Sequence, residues 1–175
     1  MIFGGTVEGP CRIILGGAEG EGAAMRVLVV HAGETGGTEG LAHMITDALA
    51  DRGLEVHLYP AAAVRNLVGF DAVVVAGALY AHRWHRDARR FVLRTRRELR
   101  RIPVWVVASG PLDDSARGGT LQPVPEVASL MSRIAARGHR TFGGRLVGDV
   151  DHRDHADVEG WVEEVVGDLL EESRV

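Results

Sequence analysis

The chain has 175 residues, a length typical of one domain with a core large enough to be stable without disulfides or metals. Its formal net charge of −4 at pH 7 excludes the strongly basic signature of a nucleic-acid-binding protein. No apolar run reaches the roughly 18 residues that a transmembrane segment needs. The single cysteine, Cys11, excludes an internal disulfide framework and favours a cytoplasmic location.

Two regions differ in composition. Residues 1–24 are rich in glycine and lack a regular apolar pattern, which predicts a flexible extension. The stretch Ile13-Ile14-Leu15 is too short for a signal-peptide core. One origin of such an extension is an upstream start site, with the natural chain beginning at Met25, and the alternative is a functional arm. Residues 25–175 are predicted to form one domain. Every basic residue in the chain is arginine, and this indicates the coding bias of a GC-rich bacterium.

From residue 25 onward, strand and helix patterns alternate. Apolar runs predict strands, and apolar residues at helical spacing predict amphipathic helices. The predicted elements are a strand at 26–30, a helix from 41 to 52, a strand at 55–59, one or two irregular helical turns at 61–69, a strand at 71–79, a helix at 87–101, a strand at 103–108, a helix at 124–136, a strand at 140–146 and a helix at 158–170. Continuous apolar strands alternating with helices predict an α/β fold with a doubly wound, five-stranded parallel sheet.

A loop of small residues follows the first predicted strand, with the sequence Gly33-Glu34-Thr35-Gly36-Gly37-Thr38. Backbone N–H groups and two hydroxyls at the start of a helix are suited to binding a phosphate. The Gly-Lys-[Ser/Thr] of a Walker A loop and the Gly-x-Gly-x-x-Gly of a dinucleotide site are both absent. The loop therefore indicates a mononucleotide phosphate site of the flavodoxin type, and the alternative is a glycine-rich turn that binds nothing.

Two further loops lie at the predicted carboxyl edge of the sheet, where ligands bind in doubly wound folds. Residues 77–85 contain Tyr80 and Trp84, two aromatic side chains that are able to stack on a planar ring, although packing into the core is the alternative for each. Residues 109–114 offer small residues and backbone polar groups. These contents suit a flavin, and the further candidate cofactor-binding residues in the two loops are Ala78, Leu79, Ser109, Gly110 and Pro111.

Residues 25–175 resemble the flavodoxin-domain proteins. Within that family they are most similar to a short form of the flavodoxin and menaquinone-dependent protoporphyrinogen dehydrogenase type. The matching segments are, in order, 35–38, 71–80, 84–92, 103–112, 142–146 and 153–161. The resemblance implies a flavodoxin-like three-layer sandwich with strand order 2-1-3-4-5. It also implies FMN as the cofactor and a redox partner protein or a quinone as the partner.

Three departures from the family pattern leave the activity open. Gly33 stands where the family usually has a hydroxyl residue, and Glu34 adds a negative charge beside the proposed phosphate. Only residues 147–152 separate Leu146, at the end of the fifth predicted strand, from Arg153-Asp154 at the entry to the last helix, where the dehydrogenases carry a long insertion. The predicted function is therefore an FMN-binding redox protein, either an electron carrier or a flavin-dependent oxidoreductase. The alternative is an interaction module that has lost FMN.

Charge is unevenly distributed along the domain. Nine arginines lie between Arg83 and Arg101, whereas the last helical segment is rich in aspartate and glutamate. The two helices are expected on opposite faces of the sheet, so the arginine face is predicted to dock an acidic redox partner, with two solvated helix faces as the alternative.

Histidines and aspartates form two weaker patterns. His82 and His85 flank the proposed ring site, and a role in proton transfer is one interpretation of them. The cluster from Asp151 to His155 is interpreted as a helix start capped by Asp154 or Asp157, rather than as a metal site.

Overall fold

The computed structural model describes residues 12–15, 24–119, 121–146, 148 and 150–174, and these residues form an α/β domain. The strands are β1 (Arg12–Leu15), β2 (Arg26–Ala32), β3 (Glu55–Pro60), β4 (Ala72–Tyr80), β5 (Arg83–Trp84), β6 (Val104–Ser109) and β7 (Gly138–Phe142). The helices are α1 (Gly37–Asp51), α2 (Arg86–Leu99), α3 (Pro125–Ile134) and α4 (His155–Glu172), with a 3-10 turn at Asp114–Ala116.

Five of the strands form the predicted parallel sheet. Their order across the sheet is β3-β2-β4-β6-β7, which is 2-1-3-4-5 when these five are numbered along the chain. The register is continuous, and Val29 lies between Leu58 of β3 and Val74 of β4. The carboxyl ends of β2, β4, β6 and β7 therefore lie at one edge of the sheet. The predicted flavodoxin-like three-layer fold is confirmed.

Helices cover both faces of this sheet. Ile45 of α1 and Val162 of α4 share one buried cluster with Val29, whereas Phe91 of α2 and Ile134 of α3 belong to the cluster on the other face. Strand side chains alternate between the two faces, and both faces are buried, which explains the continuous apolar strands. Helices α2 and α4 thus lie on opposite faces. None of the helices in the described ranges has the length and apolar character needed to cross a bilayer.

Two additional strands extend the predicted five-stranded parallel sheet. Strand β1 pairs antiparallel with β3, with Arg12 opposite Leu58 and Leu15 opposite Glu55. It belongs to the glycine-rich extension at 1–24, of which the structure otherwise describes only residue 24, so Cys11 lies outside the described residues. Strand β5 forms a hairpin with β4. Both strands are short, and short strands give a weak periodic signal.

The segment after β7 also differs from the prediction. The strand was expected at 140–146, but it covers Gly138–Phe142. Residues 143–146 instead leave the sheet, and the N–H of Gly144 donates to the carbonyl of Pro111 at 2.9 Å. The cap predicted for α4 is confirmed, because the Asp154 carboxylate accepts hydrogen bonds from the N–H groups of Ala156 and Asp157.

Candidate functional site

Four loops meet at the carboxyl edge of the sheet and line a cleft that is open to solvent, called here the main cleft. The three predicted loops, after β2, β4 and β6, are joined by a fourth loop after β7. The residues that line the main cleft are Thr35, Gly37, Thr38, Ala78, Leu79, Tyr80, Ser109, Gly110, Leu112, Gly144, Arg145 and Leu146. The main cleft lies at the N-terminus of α1, where backbone N–H groups favour an anion.

The first loop turns sharply into α1. Gly36 caps the helix with φ 78°, a left-handed conformation that favours glycine, and no side chain caps the helix there. Thr38 is buried, and a Cβ added at Gly33 would lie 2.8 Å from its Oγ1. The side chain of Thr38 therefore occupies the space next to Gly33. This packing is a physical reason for the missing hydroxyl residue at Gly33.

Tyr80 links the second loop to the first. Its ring is 39% exposed and lines the main cleft, and its hydroxyl accepts a hydrogen bond of 3.2 Å from the N–H of Glu34. The ring thus lies at the rim of the cleft, and its contact with a bound ring stays a prediction.

Glu34 is directed toward His85 and does not line the main cleft. Its carboxylate lies 3.8 Å from Nε2 of His85, and its side chain is 73% exposed. Nδ1 of His85 accepts the N–H of Asp87 at 3.2 Å as the cap of α2, which leaves the ring proton on Nε2. Solvent therefore screens the negative charge that the sequence places next to the phosphate loop.

Trp84 corrects the prediction of two stacking aromatics. It is 1% exposed and packs in the same buried cluster as Phe91. A Cβ added at Gly77 would overlap the indole, so Gly77 makes room for it on the core side of β4. The core alternative holds for Trp84, which leaves Tyr80 as the aromatic residue of this loop at the cleft.

The β4–β5 hairpin explains why the two rings separate. Leu79 pairs with Trp84 and Tyr80 pairs with Arg83, so the two aromatic residues belong to cross-strand pairs on opposite faces. The turn between them, Ala81-His82, has φ angles of 47° and 60°. Left-handed conformations at two residues other than glycine are uncommon, which is why this turn leaves little trace in the sequence.

The third and fourth loops are joined backbone to backbone. The N–H of Gly110 donates to the carbonyl of Phe142 at 3.1 Å, and Gly144 bonds Pro111 as described above. Ser109 is buried at the end of β6. Small residues allow this approach, since a Cβ at Gly144 would lie 2.8 Å from the carbonyl oxygen of Gly110.

The fourth loop was missed by the sequence analysis. It also lines a second cavity, called here the side pocket, together with the first loop. The side pocket is lined by Thr35, Gly36, Gly37, Arg145, Leu146, Gly148 and Arg153. The pair Gly143-Gly144 before Arg145, at the carboxyl end of a parallel strand, is the signal that would have found this loop.

The structure brings most of the predicted site residues together. Eight of the thirteen line the main cleft and Gly36 lines the side pocket. Four do not line either cavity: Gly33 lies beside Thr38, Glu34 beside His85, Trp84 in the core, and Pro111 behind the cleft as a hydrogen-bond acceptor.

The fold and the site together define a doubly wound α/β protein with an open cleft at its topological switch point. The profile described as Flavodoxin domain matches residues 28–150, and the chain therefore belongs to the flavodoxin-domain family. Among curated protein sequences, none matches this chain.

Solved structures of similar fold include flavodoxins. A flavodoxin from Streptococcus pneumoniae TIGR4 is 20% identical with a TM-score of 0.58, covering 82% of this chain and 99% of its own. A cysteine-to-serine mutant of the flavodoxin from Pseudomonas aeruginosa is 21% identical with a TM-score of 0.61, covering 83% and 99%. Rubredoxin oxygen:oxidoreductase from Desulfovibrio gigas is 12% identical with a TM-score of 0.67, covering 86% of this chain and 37% of its own.

Proposed function

We propose that this chain binds FMN at the main cleft and the side pocket and works as a redox protein, either an electron carrier or a flavin-dependent oxidoreductase. The proposal depends above all on one observation, the convergence of the loops after β2, β4 and β6 on one cleft at the N-terminus of α1. The flavodoxin-domain family and its structural neighbours, which include flavodoxins and an oxidoreductase, support it.

The chemistry of the residues fits this cofactor. The hydroxyls of Thr35 and Thr38 and the backbone around Gly36 and Gly37 offer donors suited to a phosphate. Tyr80 offers a ring at the cleft rim, and the glycines of the third and fourth loops let these two loops approach closely beside the cleft. When bound, FMN supplies reversible electron transfer, and the chain would orient the cofactor and tune its potential.

A flavin titration tests the proposal. FMN added to the purified chain is expected to give a yellow complex with altered absorbance and quenched flavin fluorescence at a defined stoichiometry. A folded chain that leaves the spectrum of FMN unchanged would overturn the proposal.

One contact favours the alternative, an interaction module that has lost FMN. The N–H of Glu34, a potential donor of the first loop, is already bonded to the hydroxyl of Tyr80. The same titration decides between the two functions, because the interaction module would leave the absorbance and fluorescence of added FMN unchanged at every concentration.

The partner that we propose is acidic and docks on the arginine-rich face of α2; a quinone is the second candidate. Arg86, Arg89, Arg90 and Arg133 line one groove between α2 and α3. Glu126 also lines this groove and pairs with Arg89 at 2.8 Å, so the other three arginines leave a net positive charge that is complementary to a carboxylate-rich surface. A cytoplasmic location belongs to this proposal and is supported by the single cysteine.

A further inference from the structure

The loop between β7 and α4 brings two arginines to the N-terminus of α1, although the first loop itself contains no basic residue. Arg145 and Arg153 line the side pocket with Thr35, Gly36 and Gly37. A guanidinium is a favourable partner for a phosphate because it offers several N–H donors in a planar arrangement. The two arginines differ in how far each is available to a ligand.

Backbone contacts hold this loop against α1. A Cβ added at Gly37 would overlap the carbonyl oxygen of Arg145, and a Cβ added at Gly40 would overlap the guanidinium of Arg153. The N–H of His152 also donates to the carbonyl of Gly144 at 3.1 Å, which closes the loop on itself. Two glycines in the first turn of α1 thus allow both arginines to lie at the phosphate loop.

The guanidinium of Arg153 is already bonded to other groups of the protein. Its Nε and Nη2 donate to the two carboxylate oxygens of Asp151 at 2.8 and 2.5 Å, and its Nη1 donates to the carbonyl of Gly37 at 3.3 Å. Its side chain is 11% exposed. Hydrogen bonds from Arg153 lower the pKa of Asp151 to about 2, so this carboxylate stays ionised at neutral pH and offsets one arginine charge.

Arg145 keeps its charge available. Its side chain is 51% exposed, and its Nη1 lies 3.8 Å from Asp151, beyond hydrogen-bond distance. Two guanidinium groups against one carboxylate leave a net positive charge at the side pocket. The Asp151–Arg153 pair therefore holds the loop in place, and Arg145 is the side chain that a ligand can engage.

We propose that Arg145 binds the phosphate of the flavin and determines the preference of this chain for FMN over riboflavin. The inference rests on the proposed function. A guanidinium at the side pocket supplies the positive charge that the first loop itself lacks, next to Thr35, Gly36 and Gly37.

The test compares the dissociation constants of FMN and riboflavin, measured by fluorescence titration at low and high salt. Arg145→Gln is expected to weaken FMN binding about five- to tenfold at low salt, the effect of losing one charged contact that is partly solvated, and less at high salt. Riboflavin binding should change less than about twofold, because riboflavin carries no phosphate. Arg145→Lys keeps the charge without the planar donors and should lose only part of the effect.

Arg97→Gln is the matched control. It removes the same charge from an exposed position near the end of α2, at the opposite edge of the sheet, and FMN binding is expected to stay as in the parent. Unchanged FMN affinity in folded Arg145→Gln, or an equal loss for FMN and riboflavin, would overturn the role of Arg145 and leave the proposed function intact. A parent chain that binds neither flavin would overturn both.

Discussion

The packing of Thr38 explains why residue 33 is a glycine. Thr38 is 4% exposed, and a Cβ added at Gly33 would lie only 2.8 Å from its hydroxyl oxygen. A serine or threonine at position 33 would compete with Thr38 for this space. The glycine at position 33 therefore leaves room for the buried side chain of Thr38.

Replacing Thr38 with valine tests this hydroxyl. Valine keeps the shape of the side chain, so FMN binding should weaken by about 1–2 kcal/mol, the loss of one hydrogen bond to a charged group, while the fold is retained. Fluorescence titration gives the affinity, and circular dichroism checks the fold. If folded Thr38→Val binds FMN as tightly as the parent, Thr38 is not a phosphate ligand.

Replacing Tyr80 tests whether an aromatic ring at the cleft affects the reduction potential of bound FMN. An aromatic face stabilises the oxidised flavin ring more than the electron-rich reduced ring. Tyr80→Ala is expected to weaken FMN binding by about 0.5–1.5 kcal/mol and to raise the reduction potential.

Tyr80→Phe separates the ring from the hydroxyl that bonds Glu34. It should keep the potential close to that of the parent, as followed by flavin absorbance in a redox titration. An alanine variant with the parent's affinity and potential would show that FMN is held without this ring.

At the scale of the element, the β4–β5 hairpin places its two aromatic rings in different surroundings, with Trp84 in the core and Tyr80 at the cleft. Trp84 is buried beside Gly77, and the backbone N–H of Trp84 donates to the carboxylate of Glu126 on α3 at 2.9 Å. The hairpin is therefore fixed to the core on one side and presents Tyr80 on the other.

Trp84→Ala is expected to destabilise the domain by about 3–5 kcal/mol, the cost of removing a large buried aromatic side chain. Trp84→Phe retains part of the volume and should cost less. Urea unfolding of the two variants and the parent provides the comparison. A free energy of unfolding for Trp84→Ala within about 1 kcal/mol of the parent would be inconsistent with the core position.

Strand β7 carries a titratable group whose burial makes stability depend on pH. Burial lowers the pKa of His139 from its usual 6.5 to about 4. Between these two values the ring takes up a proton in the unfolded chain and stays neutral in the folded one. Because the unfolded state binds more protons there, the stability from this group is complete above 6.5 and is lost as the pH falls toward about 4.

His139→Gln should flatten the pH profile of stability in this window. The parent is expected to lose about 1–2 kcal/mol from this histidine over the window, a value reduced from the full pKa shift because the side chain is partly solvated. Chemical unfolding at a series of pH values measures the profile, with His155→Gln at an exposed position as the matched control. A profile for His139→Gln that is parallel to the parent's would remove His139 as its cause.

The sequence predicts the strands and helices better than it predicts the ends of strands, the loops and the directions of loop side chains. The continuous apolar run of β4 and the helical spacing in α4 predicted both elements, because burial on fixed faces leaves a periodic pattern. The end of β7 and the fourth loop were missed, since Gly144 and Arg145 are placed by contacts with distant residues such as Pro111 and Gly37. The burial of Trp84 in the core was also not predictable, because the composition of a loop does not specify whether a side chain points into the core or toward the cleft.

At the scale of the whole molecule, net charge and local charge have opposite signs near the site. The chain carries a formal charge of −4, yet α2 begins beside the hairpin at the cleft and is rich in arginine. The acidic helix α4 lies on the other face of the sheet. An anionic partner that approaches the cleft from the α2 side therefore meets a positive field, although the molecule as a whole repels it.

Ferricyanide, a small anionic oxidant, is a probe of this field. If the local charge dominates, the rate constant for oxidation of the reduced FMN complex should fall roughly threefold or more as ionic strength rises from low to physiological values, because salt screens an attraction. The double variant Arg86→Gln/Arg90→Gln, near the cleft, should flatten this dependence. Arg97→Gln/Arg101→Gln removes the same charge farther from the cleft and should have a smaller effect. Stopped-flow absorbance measures all three proteins, and a parent rate that rises with salt would mean that the net charge, not the arginine face, governs the encounter.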